Sequence, residues 1–343
     1  MNKLLIVSLS LSLITVLVRS YKLPQTFMFA EDQEDVALRV KQIVIDRQPT
    51  LLSAKFSSVG LYLPPGYLYF LIPFFLITDF HPSAAMIVTV LLSGLTGLFM
   101  FLSGHHIGGI KAGVIAWLVY TFWPSLHSWD RIFWNPNLIL PASALVLLAI
   151  RKKQPVLAAV ASGIALQSHP QAIALVIITL LYFRRHRLKI GAVLFLFISP
   201  LLLFEIRHGF VVSRGLFNSS PFIFRPYYLL FIYPFLIILL TWVINKSKLF
   251  TVIFLSLLLI ESLPVIFNQL DRPDNLIKKI ELTTLALDQI QSGQASPNIQ
   301  VQGPSDGFRY LIWYLSRQKH ITTPIAFHES WDNPPAKTSV IKL

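Results

Sequence analysis

The stretch Phe29 to Val40, FAEDQEDVALRV, puts four carboxylates into five positions: Glu31, Asp32, Glu34 and Asp35. The chain has only 16 acidic residues against 29 basic ones, so a quarter of its acids stand side by side. At 100° per residue, a helix over 31–43 carries Asp32, Asp35 and Arg39 within about 60° of one another. Two carboxylates and a guanidinium on one face can hold a general base and bring a cation near an anionic leaving group. A positioned base is typically worth about 10²–10⁴ in rate. The same pattern also suits a plain acid-rich helix start with a solvated face, because acids are favourable at a helix N-terminus. Spacing alone leaves both open.

The elements that must position these groups are membrane helices. The 343 residues are 54% hydrophobic and 13% charged, with a mean hydropathy of +0.63. A soluble domain carries about 25% charged residues. Phe56 to Thr78, Pro82 to Gly104 and Pro226 to Ile244 hold no charged side chain, and about 20 apolar residues cross a bilayer. The expected fold class is therefore an all-α polytopic membrane protein of nine or ten hydrophobic helices. The segments fall at about 4–18, 62–79, 84–103, 109–124, 137–150, 155–167, 170–183, 189–206, 222–244 and 248–264. The first lacks a small-x-small cleavage site before Tyr21 and Lys22, and reads as an uncleaved span with the N-terminus inside.

The net charge of +13 does not point to nucleic acid. Its basic residues sit in short loops such as Arg151-Lys152-Lys153 and Arg184-Arg185-His186-Arg187, the pattern of cytoplasmic loops in multispanning proteins. That places the first loop, 19–60, and the chain after Pro264 on the outside of a cell membrane. Four hydrophobic segments then separate the outer first loop from the inner Arg151, and an even number cannot change sides. The stretch 62–79, with Pro64, Pro65 and Pro73, is the best candidate for a segment that does not cross. Beyond it all, residues 265–343 turn polar and read as a small extracytoplasmic α/β appendage to a membrane domain over 1–264. In it, NIQVQG (298–303) and TTPIAF (322–327) suit strands, and SDGFRYLIWYLSRQ (305–318) suits a helix. There are no cysteines, hence no disulfide framework and no thiolate metal site.

Several of these stretches, in order over roughly residues 1–220, resemble the GT-C glycosyltransferases of the protein O-mannosyltransferase and lipid A aminoarabinose transferase type. The likeness rests on EDQED in the first loop, LYLPPGYLYFLIPFF (61–75), SWDRIFWNPNLILP (128–141), GIALQSHPQAIAL (163–175) and SPLLLFEIRHGFVVSRGL (199–216). It implies an inverting transfer of a sugar from a polyprenyl-phosphate donor to a hydroxyl acceptor on a lipid, glycan or protein at the outer membrane face. Membrane lipids are the surrounding partner. An Asp of the first loop would be the base, and Asp32 matches it by position. Many relatives have Asp-Glu where this chain has Asp32-Gln33, which leaves a second carboxylate role to Glu34 or Asp35. The leaving phosphate needs cations; the candidates are Arg39, Arg131, His169, Arg207, His208 and Arg214. Asn135, Asn137 and Tyr67 are candidates for sugar or acceptor contacts. Blander roles stay open for several: Asn-Pro-Asn is ordinary turn chemistry, His169 suits a turn beside Pro170, and Arg207 can snorkel beside Glu205.

Other motifs lead nowhere. GHHIGGIKAG (104–113) lacks the Gly-Lys-Ser/Thr end of a phosphate loop, and adjacent His105 and His106 suit no common helical metal site. No metal and no cofactor are expected. A transporter or flippase of a lipid-linked or amphiphilic substrate is the alternative, but it would place ionisable residues inside its spans, where this chain has few. An inactive GT-C-like scaffold is the third reading.

Overall fold

The computed structural model describes residues 3–53, 55–56, 61–217, 225–272, 274–329 and 337–342. Its helices are α1 (Lys3–Ser20), α2 (Leu23–Thr26), α3 (Glu31–Val44), α4 (Gly66–Ile77), α5 (Ser83–Phe122), α6 (Pro124–Asp130), α7 (Ile139–Arg151), α8 (Pro155–Leu166), α9 (Ile173–Tyr182), α10 (Arg187–Arg207), α11 (Val211–Phe217), α12 (Tyr233–Ile244), α13 (Lys248–Phe267), α14 (Leu276–Gln291) and α15 (Phe308–Gln318). The strands are β1 (Lys55–Phe56), β2 (Leu61–Tyr62), β3 (Asn298–Gln302), β4 (Ala326–His328) and β5 (Ser339–Lys342). The chain is a mostly helical polytopic membrane protein with a small α/β appendage. Among the described residues, five helices are long and apolar enough to cross a bilayer, or six when the pair Pro124–Asp130 and Asn135–Arg151, bent by 118°, counts as one. Residues 222–224 of the predicted segment 222–244 lie outside the described residues.

α5 is continuous in sequence but doubles back. Gly108 and Gly109 leave helical geometry, and Gly109 takes φ 68°, a conformation that glycine adopts without a Cβ penalty. The two limbs then pack against each other: the Tyr120 hydroxyl donates to Ser93 O at 3.3 Å, and a Cβ on Gly113 would lie 2.8 Å from the Phe101 ring. These limbs are the predicted segments 84–103 and 109–124. α1 lies across both. Ser12 donates to Gly94 O at 2.9 Å and Trp117 to Leu11 O at 2.9 Å. The approach is close because Gly94 and Gly97 carry no Cβ; one there would meet Val16 at 2.7 Å or Thr15 at 2.8 Å. Small residues of this kind let membrane helices come together.

The bundle has two chemically different ends. The α5 turn, with His106 in electrostatic reach of Arg151 and Lys152 and Gly108 against Asn245, belongs to the basic end. The first loop, the start of α7 and the appendage belong to the other, here called the rim. α4 keeps both its ends at the rim. At one end Gly66 N donates to Gln167 Oε1 at 2.8 Å and Tyr67 to Trp134 O at 3.0 Å. At the other, Phe75 meets the Tyr310 ring and Asp79 pairs with Arg317 at 2.8 Å. At 12 residues it is about 18 Å long, and it does not carry the chain from one end to the other, which removes the parity conflict where the prolines pointed. Its apolar surface instead joins a core with Phe29, Val36 and Val40 of the first loop and Tyr310 and Leu311 of α15.

α7, α9 and α12 have 13, 10 and 12 residues, about 15–20 Å of helix against a hydrocarbon thickness of about 30 Å. Each is preceded by a 3₁₀ turn: Asn135–Leu138, Pro170–Ala172 and Pro226–Ile232. These turns meet below the rim. Leu138 lines the same cavity as Leu92 and Leu95, which lie more than two turns into α5. In the appendage β3 is central, flanked in parallel by β4 and β5. α15 serves two cores. Phe308 and Ile312 face the sheet with Ile299 and Val301, whereas Tyr310, Leu311 and Tyr314 face the first loop and α4.

Candidate active site

The start of α3 is fixed by Gln33. This fully buried side chain accepts from Ala30 N at 3.0 Å and donates to Phe133 O at 2.5 Å. It thereby clips the first loop onto the segment before α7. Asp32, the preceding residue, is exposed, and the surface it shares with Arg225 and Tyr227 is here called the recess. Partial removal from bulk water, and then the neighbouring Asp35 charge, raise its carboxyl above the usual aspartate range. Asp32 and Arg225 both stand within electrostatic reach of the Tyr227 hydroxyl, and Arg225 is exposed.

The three 3₁₀ turns supply the floor. Trp134 meets the Tyr227 ring at a tilt of 58°, with centroids 4.8 Å apart. Trp134 N donates to Asn137 Oδ1 at 2.7 Å, and Tyr67 holds the Trp134 carbonyl. Asn135 Oδ1 is buried and has no hydrogen-bond partner among the described residues. His169 lies against Tyr227 and Tyr228, with centroids 5.9 and 5.2 Å away. Burial pushes its pKa down to about 4, so the ring is neutral at pH 7. The Gln171 carboxamide, turned with its nitrogen toward two carbonyls, donates to Tyr227 O at 3.2 Å and Tyr228 O at 2.8 Å.

The other predicted residues go elsewhere. Asp35 pairs with Arg39 at 2.7 Å in an i,i+4 bridge, both half-exposed. Glu34 does not face the recess. It is buried and accepts from Tyr310 N at 3.0 Å, with the N–H groups of Gly307 and Arg309 also directed at it. Burial raises its pKa while these donors lower it, and the net direction is up. The carboxylate thus caps α15 and ties the appendage to the first loop. Gly307 permits this contact, with φ 91° and no room for a Cβ, which would lie 2.3 Å from Phe29 O. Arg131 is also turned away: it donates to Arg19 O and Tyr21 O at 2.8 Å each and to Thr26 Oγ1 at 2.6 Å. Arg207, His208 and Arg214 are exposed at the end of α10 and in α11. His208 stacks on Phe204 at 4.1 Å and donates to its carbonyl at 2.9 Å. Glu205 accepts from Val212 N and Ser213 N at 2.9 Å each, so it caps α11 and is no partner for Arg207. Tyr67 and Asn137 act on the Trp134 backbone rather than pointing at a ligand.

Sequence reasoning missed Arg225, Tyr227 and Tyr228. The available signal was an arginine directly before Pro-Tyr-Tyr at the mouth of an apolar segment. It also missed the buried pair of Arg19 and Asp130, 3.1 Å apart, although Asp130 stands in the quoted SWDRIFWNPN.

Beside the recess an apolar cavity of about 610 Å³ opens between α4, the first limb of α5, α7, α8 and α10. Phe70, Leu95, Leu145, Ile164 and Phe197 line it, and Gly66 and Gln167 form its polar edge. Gln167 is two residues from His169, and Gly66 adjoins Tyr67, which holds the Trp134 carbonyl, so the polar edge of the cavity lies next to these groups in the chain. Among the described residues, no three His, Asp or Glu side chains converge to hold a metal ion.

No family model matches the chain, and no curated protein does. Among solved structures, it is similar to the crystal structure of ArnT from Cupriavidus metallidurans bound to undecaprenyl phosphate, with a TM-score of 0.49 and 15% sequence identity. The match covers 84% of this chain and 64% of that one, so the chain spans less than two thirds of that protein's length.

Proposed function

We propose that this protein is an inverting membrane glycosyltransferase that moves a sugar from a polyprenyl-phosphate donor to a hydroxyl acceptor at the outer membrane face. The proposal is supported by the exposed Asp32 and Arg225 standing within electrostatic reach of the Tyr227 hydroxyl, near the end of a large apolar cavity. The donor's isoprenoid chain lies in the cavity and its phosphate stands at the recess. Asp32 takes the proton from the acceptor hydroxyl. The acceptor oxygen bonds to the anomeric carbon from the opposite face as the bond from that carbon to the phosphate oxygen breaks. The electron pair leaves with the polyprenyl phosphate, whose charge Arg225 and the Tyr227 hydroxyl stabilise. Asp32 then releases its proton to water. The raised carboxyl of Asp32 suits a base, because proton uptake is most efficient when the base pKa approaches the working pH. The buried, neutral His169 positions Tyr227 and Tyr228 and carries no charge to the phosphate.

Asp32→Asn tests this with a panel of polyprenyl-phosphate sugars and a reconstituted membrane fraction. Transfer is expected to fall by about 10²-fold or more, with unfolding unchanged. Near-normal turnover in that variant, or movement of the lipid across proteoliposomes with no glycosidic product from the unaltered protein, overturns the proposal.

A further inference from the structure

A second polar cavity, of about 270 Å³, lies behind the segment that carries Arg131, between α2, α6 and the end of α13. Thr26, His127, Ser128, Arg131, Gln269 and Arg272 supply its polar wall. It shares no residue with the apolar cavity. Arg131 is only 8% exposed, and its three hydrogen bonds all go to neutral oxygens. No carboxylate stands within ion-pair distance of it among the described residues. The adjoining Asp130 is taken by Arg19 and the Tyr120 hydroxyl. Two buried guanidiniums therefore share one buried carboxylate. Buried charges are normally paired, so one positive charge here lacks its counter-ion.

The rest of the wall fits an anion. Ser128 contributes an exposed hydroxyl, held only by a long 3.3 Å bond to Pro124 O that an anion can replace, whereas Thr26 Oγ1 is committed to Lys22 O and Arg131 and Gln269 Nε2 to His127. Arg272 stands at the edge, forked to Asp274 at 3.0 and 3.1 Å, and Lys22 donates to Gln269 O at 3.4 Å beside it. The outer lip is apolar: Val265 lines the cavity and is exposed, as are the neighbouring Tyr21 and Phe267, whose rings meet at 5.1 Å. A basic pocket between spans with an apolar outer lip is the kind of place where anionic headgroups bind. We propose that this cavity binds a phosphate group, separate from the transfer site, supplied by an anionic phospholipid headgroup or by free phosphate. Its phosphate oxygens complete the charge of Arg131 and accept from Ser128. The proposal does not depend on the transfer reaction.

The test follows thermal unfolding of the purified full chain in a neutral detergent. Three probes are added separately: phosphatidylglycerol, phosphatidylcholine, and sodium phosphate against sodium chloride at equal ionic strength. Phosphatidylglycerol is expected to raise Tm and phosphatidylcholine not to. Equal stabilisation by millimolar sodium phosphate assigns the site to free phosphate; stabilisation by phosphatidylglycerol alone assigns it to lipid. Arg131→Gln should abolish the response, but Arg131 also holds the first loop. The deciding variant is therefore Arg272→Gln with Ser128→Ala, both at exposed positions, in which the apparent affinity for the effective probe should fall about tenfold. Equal effects of the two lipids with none from phosphate, no response to any probe, or an unchanged response in that double variant overturns the proposal.

Discussion

Arg19, at the end of α1, and Asp130, at the end of α6, form an ion pair of 3.1 Å in which the arginine is fully buried and the aspartate nearly so. Every branch of the guanidinium is used. Nη1 donates to Thr121 O and to His127 Nδ1, and Nη2 to Tyr120 O, while Asp130 also accepts from the Tyr120 hydroxyl at 2.6 Å. The pair locks the first span to the α5 hairpin beneath the segment that frames the recess. Removing one partner leaves the other charge buried and unpaired. Asp130→Asn is expected to lower stability by about 3–5 kcal/mol, whereas Asp35→Asn, in the half-exposed pair with Arg39, is expected to cost about 0–1 kcal/mol. Denaturant unfolding in detergent compares them. Equal losses would show that the buried pair does not hold the bundle together.

Gln33 is a buried carboxamide between Ala30 N and the carbonyl of Phe133. Here it must donate, because it faces the carbonyl of Phe133. A carboxylate would set two acceptors against each other inside the core. Gln33→Glu is therefore expected to destabilise the chain by about 1–3 kcal/mol. An unfolding midpoint equal to that of the unaltered chain contradicts this account of Gln33.

The proposed base makes a statement about pH. Transfer requires ionised Asp32, so the rate should fall with decreasing pH through a midpoint above the value of about 3.9 for an ordinary aspartate. Burial is the larger cause of the shift and Asp35 the smaller. Asp35→Asn should therefore move the midpoint down only partway. A midpoint that does not move, or moves up, removes Asp35 from the account.

Stability has its own pH dependence through His169, whose pKa falls from 6.5 in the open to about 4 when buried. The folded state resists protonation that the unfolded state accepts. The neutral ring's contribution is whole above pH 6.5 and is lost as pH falls toward 4, by about 3 kcal/mol at most. His169→Gln should reduce the slope of the stability profile across that window; an unchanged slope would mean other groups set it.

Much of the architecture was legible in the sequence. Hydropathy marks where spans lie, because removing a peptide segment from water depends on its own composition. Basic loops mark one end of the bundle, and the Pro64-Pro65 and Pro73 interruptions mark the segment that fails to cross. The helix over 305–318 and the strand over 298–303 were visible as periodicity. Asp32 stood out as a candidate too, because an acid in an acid-poor chain beside a span is locally conspicuous. The fate of its neighbours was not. Glu31, Asp32, Glu34 and Asp35 look alike in a string of letters, yet Glu34 caps a helix that begins 274 residues later, and Asp35 only holds Arg39.

The local chemistry of the chain thus determined that it is a membrane-spanning helical protein with an acidic first loop and a polar tail. Tertiary structure alone decided that Glu34 is buried under α15 while Asp32 stays accessible, that Arg225 and Asp32 come within electrostatic reach of Tyr227, and that Arg131 faces a different cavity. The physical reason is that hydropathy and helical period are properties of neighbours along the chain. Pairing, burial and shifted ionisation belong to side chains a hundred residues or more apart, brought together only when helices of unequal length pack and leave a recess where the short ones end.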